Sequence, residues 1–431
     1  MNPFASSRGG RHKPAVINWF SALMMLALIS GCTESAGFSH NANRNFPSRT
    51  SSSKSGLSSS DSSTQTTYKS GQNHFIPEPG LIALVADTYD DHLRMVNLAT
   101  GRITESIQVG SNPYYIVVTP DRKKAYVANS GWGKKAQSQY TVSSIDLTNF
   151  RILSNIPVGT GPIYLAITPD GRTVLAADMG IYDSTDGQTM QDGTTITPIN
   201  VSNDSAETPI HVGLGPGAIA ITPDGKTAYV TLTGTPTNVL SEIVPVQLSD
   251  GTVGTPIPTG PAPMGIAITP DGNEALVANT GWPPNVPGNT VTPIDLRTGK
   301  AGNPIPAPPT PFLIDITPNG KLAFVIGSGS SGPFTTVLEE IDVASGQVLK
   351  SLQLPIESIT LAISPDGSLA YVAGNVSPST PSINTSTRPA EPGEIIPVEI
   401  ASMTPLPPFT GIGTFPGAIA IIDNPASHTS G

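Results

Sequence analysis

Apolar and polar positions alternate along this chain in a unit that returns again and again. In Gly217-Ala218-Ile219-Ala220-Ile221-Thr222-Pro223-Asp224-Gly225-Lys226-Thr227-Ala228-Tyr229-Val230, two short apolar runs flank one polar stretch. The pattern predicts two antiparallel strands joined by a tight turn. Pro223 presets φ for the first central position, Asp224 can bond its own backbone, and Gly225 takes the φ > 0 position that reverses the chain.

The unit recurs at Ile116–Arg122, Leu165–Gly171, Ile219–Gly225, Ile266–Gly272, Ile314–Gly320 and Leu361–Gly367. Its prolines, Pro120, Pro169, Pro223, Pro270, Pro318 and Pro365, are spaced by 49, 54, 47, 48 and 47 residues, a period that belongs to four-stranded propeller blades. Two turns depart from the pattern, with Arg122 in place of Gly and Asn319 in place of Asp. After each Ala-Tyr-Val run come a variable loop, a strand of Pro-Ile-Asp-Leu type (Ser144–Leu147, Pro293–Leu296, Glu340–Val343) and a last strand ending near Val-Gly. These are strands a to d, numbered from the inside out.

The two ends complete each other. Leu81–Val109 holds strands b, c and d without an a, whereas Pro416–Ile421 copies Pro216–Ile221 and then stops. The expected fold is all-β: a seven-bladed β-propeller with four antiparallel strands per blade, the last blade closed by one C-terminal and three N-terminal strands. Residues 81–423 give 49 per blade, and closure removes the open edges of a linear array. The Thr-Pro-Asp-Gly-Lys-x-Ala-Tyr-Val series, with Val127-Ala128-Asn129, Val277-Ala278-Asn279 and Val372-Ala373-Gly374 on strand b, resembles the YVTN-family β-propellers. That resemblance implies the same fold in an exported bacterial protein, and leaves the function open because such folds host unrelated activities.

Before the repeats the pattern changes. Arg8, Arg11 and Lys13 precede an apolar run from Ala15 to Ile29 and then Ser30-Gly31-Cys32, the layout of a secretory signal over residues 1–31. Ile29-Ser30-Gly31-Cys32 resembles the bacterial lipobox, which implies that Cys32, the one cysteine of the chain, is lipidated. Two or three acyl chains would anchor the protein stably to a membrane. Thr33 is not the Asp that marks inner-membrane retention in many Gram-negative lipoproteins, so the anchor belongs to the outer face of the cytoplasmic membrane or to an outer membrane. Residues 32–79, with 13 serines between Thr33 and Gln72, read as a tether spanning about 35–40 Å. The propeller is expected over 80–424, followed by a disordered tail at 425–431.

Composition narrows the partners. Charged residues are 13%, with 43 Gly and 44 Pro at fixed offsets inside apolar repeats, as a many-turned β fold requires. The formal charge is −10, and about −13 once residues 1–31 are gone, which argues against nucleic acid. A monomer is expected, and with one cysteine no intramolecular disulfide can form.

Function is expected where the repeat is broken. The longest b–c loops read as Gly374–Gly393, Asp178–Gly193, Asn129–Tyr140 and Asn279–Asn289. Trp132 and Trp282 hold matching places in two of them, either as aromatic platforms for a sugar or peptide side chain or as wedges between blades. Along strand a, Asp315 falls where the other blades have Val117, Ala166, Ala220, Ala267, Ala362 and Ala420. It serves either exposed backbone N–H groups or a ligand or cation. Tyr114, Tyr115, Tyr164, Met264 and Phe312 are expected to cluster at one mouth as an apolar, aromatic funnel. The acidic groups Asp87/Asp90/Asp91 and Asp183/Asp186/Asp192 lack calcium-loop spacing, so no cofactor is expected and Ca²⁺ is the one alternative.

Catalytic motifs are scarce. His92 and His211 are the only histidines in the propeller and fall two blades apart, and there is no G-x-S-x-G, metal-ligand cluster or P-loop. The preferred reading is a lipid-anchored scaffold that presents its b–c face to a protein, peptide or glycan. The alternatives are a lactonase-like hydrolase or lyase using channel-mouth carboxylates, with or without Ca²⁺, and a purely structural envelope component.

Overall fold

The computed structural model describes residues 80–131, 140–182, 190–235, 238–282, 286–328, 335–376 and 392–423. The signal, the tether with Cys32, the tail and Trp132 lie outside them. Among the described residues every regular element is a strand, arranged in seven small antiparallel sheets. The innermost strands are Pro113–Val118, Pro162–Ile167, Pro216–Ile221, Pro263–Ile268, Leu313–Ile316, Ile356–Ile363 and Pro416–Asp423, here numbered blades one to seven. Each touches the next and the seventh touches the first, which closes the ring. This is a seven-bladed β-propeller.

Blade seven joins the two ends as expected. Pro416–Asp423 pairs antiparallel with Leu81–Asp87 (Leu84 opposite Ala420), and His92–Asn97 and Arg102–Gln108 complete the sheet. The seam is clasped by Asp87, which is fully buried. Its carboxylate accepts from Arg94 Nη1 at 2.7 Å, from Thr414 N at 2.5 Å and Oγ1 at 2.8 Å, and from Phe415 N at 2.9 Å. Arg94 also grips Asp90, so these two acids share one guanidinium rather than being arranged around an open cation site.

The core lies between blades. Strand b is the most deeply buried element, as in Lys124–Asn129 and Leu369–Val376, because both faces of its sheet meet neighbouring blades. Val, Ile, Leu and Ala fill these interfaces, for instance Ala218, Ile243, Ile266, Val277 and Ile294 between blades three and four.

The Thr-Pro-Asp-Gly turns line one face of the ring, the turn face. Gly225 has φ 69° and donates its N–H to Thr222 O at 2.8 Å. The threonine does more than its place in the motif suggests. Thr222 Oγ1 donates to Asp224 Oδ1 at 2.6 Å and accepts from Thr227 N at 3.1 Å, and Thr119, Thr168, Thr269, Thr317 and Ser364 repeat the arrangement. The hydroxyl bond and neighbouring amide hold Asp271 down to about 2.

These turns also interlock. A Cβ on Gly171, Gly225, Gly272, Gly320 or Gly367 would meet the proline ring of the preceding blade's turn, at 2.8 Å for Gly171 against Pro120 and at 3.5 Å for Gly225 against Pro169. Blade one has blade seven before it. There Arg122, at φ 59°, replaces the glycine and reaches Asp423 Oδ2 at 2.5 Å. An ion pair stands where the stack of turns is interrupted by the chain ends.

Candidate functional site

The opposite face, where strand b leads to strand c, is built from a second repeated device. The last residue of the Ala-Tyr-Val-Ala-Asn run is buried and faces the residue three before strand a. In blades one, two, four and seven it is Asn129, Asp178, Asn279 and Asp87, and the facing residue is Gly110, Gly159, Gly260 or Gly413, where a Cβ would come within 2.6 Å. Asn279 Nδ2 donates to Thr290 and Thr292 at 3.0 and 2.9 Å, while its Oδ1 accepts from Gly260 N at 3.1 Å. In blades five and six the glycine has changed sides, to Gly327 and Gly374, whose Cβ positions would strike Pro309 O and Glu357 O. One close approach is kept and either partner can supply the space.

Two of these latch residues are carboxylates, and Asp178 differs from Asp87 in its partners. It sits where Asn129 and Asn279 do, and its Oδ2 accepts from Thr195 and Thr197 hydroxyls at 2.9 and 2.6 Å. Among the described residues no cation meets it, and burial raises it to about 7, against the two hydroxyls and the Gly159 amide that favour the charged form.

Most inner strands enter the ring through a β-bulge, with register shifts such as Pro113/Tyr115, Pro162/Tyr164 and Pro263/Gly265. The bulge turns one residue per blade toward the mouth of the channel. These residues are Tyr114, Ile163, Gly217, Met264, Phe312, Ile359 and Gly417, and they line a cavity of only ≈ 20 Å³, room for about one water. The predicted aromatic cluster is therefore present, but it forms a closed iris, not an open funnel. Gly217 and Gly417 cannot be larger, since a Cβ would strike Thr231 Oγ1 or Thr88 Oγ1. Beside the iris Tyr89 is 45% exposed and stacks on Phe415 at 4.8 Å.

Below the iris, Tyr115 and Tyr164 stack with ring centroids 3.8 Å apart, and their hydroxyls bond at 2.7 Å. Both rings cross from blades one and two to pack on Leu313 and its neighbours in blades five and six. Desolvation pushes Tyr115 well up and Tyr164 to about 12, with the Asp315 charge adding to both. Asp315 Oδ1 accepts from Ile316 N at 2.9 Å and Oδ2 from Ile363 N in the next blade at 3.2 Å. It thus caps backbone groups of the channel wall, the structural one of its two expected roles. Part of its area stays open to the channel, yet the enclosing walls raise it to about 6, chiefly by desolvation.

Trp282 takes the wedge role. Strand b of blade four runs on to Trp282 and strand c begins at Val286, so the expected long loop is short. The indole is buried and its Nε1 donates to Thr233 O of blade three at 3.1 Å. It cannot serve as an exposed platform in this arrangement. His92 begins strand c, with Nδ1 2.6 Å from Asp90 O, and His211 lies on the outer edge of blade two. Among the described residues no three His, Cys, Asp or Glu side chains are grouped to hold a metal ion. Asp183 and Asp186 lie outside the described residues.

Sequence reasoning singled out Tyr114, Met264 and Phe312 of the iris and Asp315, but missed Ile163, Gly217, Ile359 and Gly417 and the latch at the end of strand b. The signal was present in four blades: Asn or Asp after Val-Ala or Ala-Ala, paired with Gly three residues before the strand-a proline.

No protein-family model and no curated protein matches the chain. Among solved structures it is similar to a functionally unknown protein from Desulfotomaculum acetoxidans, with TM-score 0.60 and 17% identity over 79% of this chain and 99% of that one. It is similar to a hydrazine synthase from Kuenenia stuttgartiensis, with TM-score 0.55 and 19% identity over 71% and 96%. A protein from Bacteroides fragilis provisionally named a 6-phosphogluconolactonase gives TM-score 0.57 and 16% identity over 80% and 99%. At these identities the likeness concerns the fold.

Proposed function

We propose that this protein is an exported binding scaffold of the YVTN type, anchored through lipidated Cys32, that presents its b–c face to a protein or peptide. The observation that carries the reading is the iris. Five apolar or aromatic side chains close the channel, leaving ≈ 20 Å³ of space. An enzyme pocket for a sugar lactone needs several hundred Å³ and convergent polar groups. A surface of this chemistry suits an apolar side chain of a partner, with Tyr89 and Phe415 beside it.

The lactonase-like alternative draws on the Bacteroides fragilis structure, which is alike in fold, and on carboxylates near the channel. The test is peptide display on residues 80–424. Enriched peptides should carry aromatic or aliphatic anchors and bind at least tenfold more weakly to Phe312→Asp, while the turn-face variant Lys321→Glu binds normally. Equal binding to all three proteins, or turnover of a lactone panel by the wild type, overturns the reading. For the anchor, Cys32→Ser should move the protein from the membrane to the soluble fraction of a bacterial host.

A further inference from the structure

The channel has a second end. Level with Tyr115 and Ile116, the inner strands of blades three to seven are buried, at Ala218, Ile219, Gly265, Ile266, Leu313 and Ile314 among others, while Tyr115 and Tyr164 themselves are partly exposed. One step nearer the turn face the pattern reverses in every blade but the second, where Ala166 stays buried. Val117, Ala220, Ala267, Asp315, Ala362 and Ala420 are all partly exposed, although they lie at the centre of the ring. With ≈ 20 Å³ of space at the iris, the turn face is the open route to these positions. The channel is therefore a blind vestibule, closed by the Tyr115–Tyr164 pair and walled by small side chains, with a single carboxylate beside its end.

We propose that this vestibule binds a small alkylammonium ion, with Asp315 as its counter-ion and the Tyr115–Tyr164 pair as its aromatic end wall. Three observations converge on that chemistry. Asp315 uses two acceptor positions on Ile316 N and Ile363 N, and a carboxylate offers about four, so it can still accept from an ammonium group. Tyr115 and Tyr164 stack with centroids 3.8 Å apart one level above Asp315, whose charge raises both phenols, so two aromatic rings border the same space. The neighbouring positions are Val117 and alanines, which offer room and apolar contact for a short alkyl chain but no second acid, as a divalent metal would require. The backbone caps explain why a carboxylate is tolerated here, and they leave its charge uncompensated. This site is separate from the b–c face and does not depend on the reading of that face.

The groups facing Asp315 from the surrounding strands are Tyr115, Tyr164, Val117, Ala166, Ala220, Ala267, Ala362 and Ala420, so it is the only one that titrates near neutral pH. The probe is ethylammonium chloride against matched sodium chloride, with binding to the propeller domain followed by calorimetry and thermal shift. Saturable binding at pH 8, about tenfold weaker at pH 5 where the carboxylate is protonated, is expected. Asp315→Asn should weaken it at least tenfold and abolish the pH dependence. Tyr164→Phe, which keeps the ring and folds without a new cavity, should bind several-fold more weakly with the pH dependence intact. No saturable binding by wild type, equal binding by Asp315→Asn, or a response to sodium or calcium that ethylammonium does not share would each overturn the proposal.

Discussion

The two faces of the ring are made from the same strands and obey different rules. On the turn face, six turns repeat one hydrogen-bond pattern, and five glycines rest on five prolines. On the b–c face, the latch residue is Asp87, Asn129, Asp178, Leu232, Asn279, Gly327 or Gly374, and only blades five and six, both with glycine, solve it alike as neighbours. The carboxylates show the difference in energy. Asp224 is exposed in its turn, and its bonds to Thr222 and Lys226 N compete with water. Asp87 is fully buried, with a cation and three further donors. Repetition on one face builds the ring, whereas variation on the other decides where it is locked and what it can touch.

The largest test of this contrast is at the seam. Removing one partner of a buried, hydrogen-bonded charge pair costs about 3–5 kcal/mol, because the other charge remains buried. Asp87→Ala should lose stability at or below that scale in urea titrations: Arg94 keeps Asp90, but the Thr414 and Phe415 donors at the seam lose their acceptor. Asp224→Ala should shift the urea midpoint only slightly. Comparable losses would mean that the two faces share the load.

A smaller effect separates acid from amide at the same latch. Asp178 is raised to about 7 in the folded protein, above its unfolded value of 3.8. The native state therefore binds the proton more tightly, and the stability this contributes is complete below the unfolded pKa and lost as pH rises through about 7. Asp178→Asn replaces the charge with the group used at Asn129 and Asn279, and the hydroxyls of Thr195 and Thr197 can rotate to accept. The variant should gain on the order of 2 kcal/mol at pH 8 and little at pH 5, read as thermal midpoints at the two pH values. A gain that is the same at both would show that titration of Asp178 plays no part.

The same contrast explains what could be read from the sequence. Thr-Pro-Asp-Gly is a local signal, set within four residues, so the turns, the blade count and the joined seventh blade follow from it. Asp315 was visible because it interrupts a row of alanines. The role of Trp282 was not, because whether an indole lies open or between blades depends on Thr233, 49 residues earlier. The closure of the channel was equally hidden. Tyr115 and Tyr164 were expected at the mouth and lie below the iris instead, because their pairing and their reach to Leu313 depend on how blades one, two and five face one another.

The smallest effects lie within the turn face itself, where one position carries two different solutions. An L-residue at φ near +70° costs about 1–2 kcal/mol. Gly225→Ala should lose roughly that, since its Cβ would meet Pro169 at ordinary contact distance, whereas Gly171→Ala should lose more, because its Cβ would stand 2.8 Å from Pro120. At Arg122 the chain already bears the backbone strain, and the bond to Asp423 offsets it where no preceding turn is there to stack on. Both side chains are more than a third exposed, so the pair contributes about 0–1 kcal/mol and is weakened by salt. Arg122→Gly removes the strain and the pair together and should be close to neutral in dilute buffer. In 1 M salt the wild type keeps its strain but loses most of the attraction, so the variant should then be the more stable protein. A difference that does not change with salt would mean that Arg122 holds the seam by packing rather than by charge.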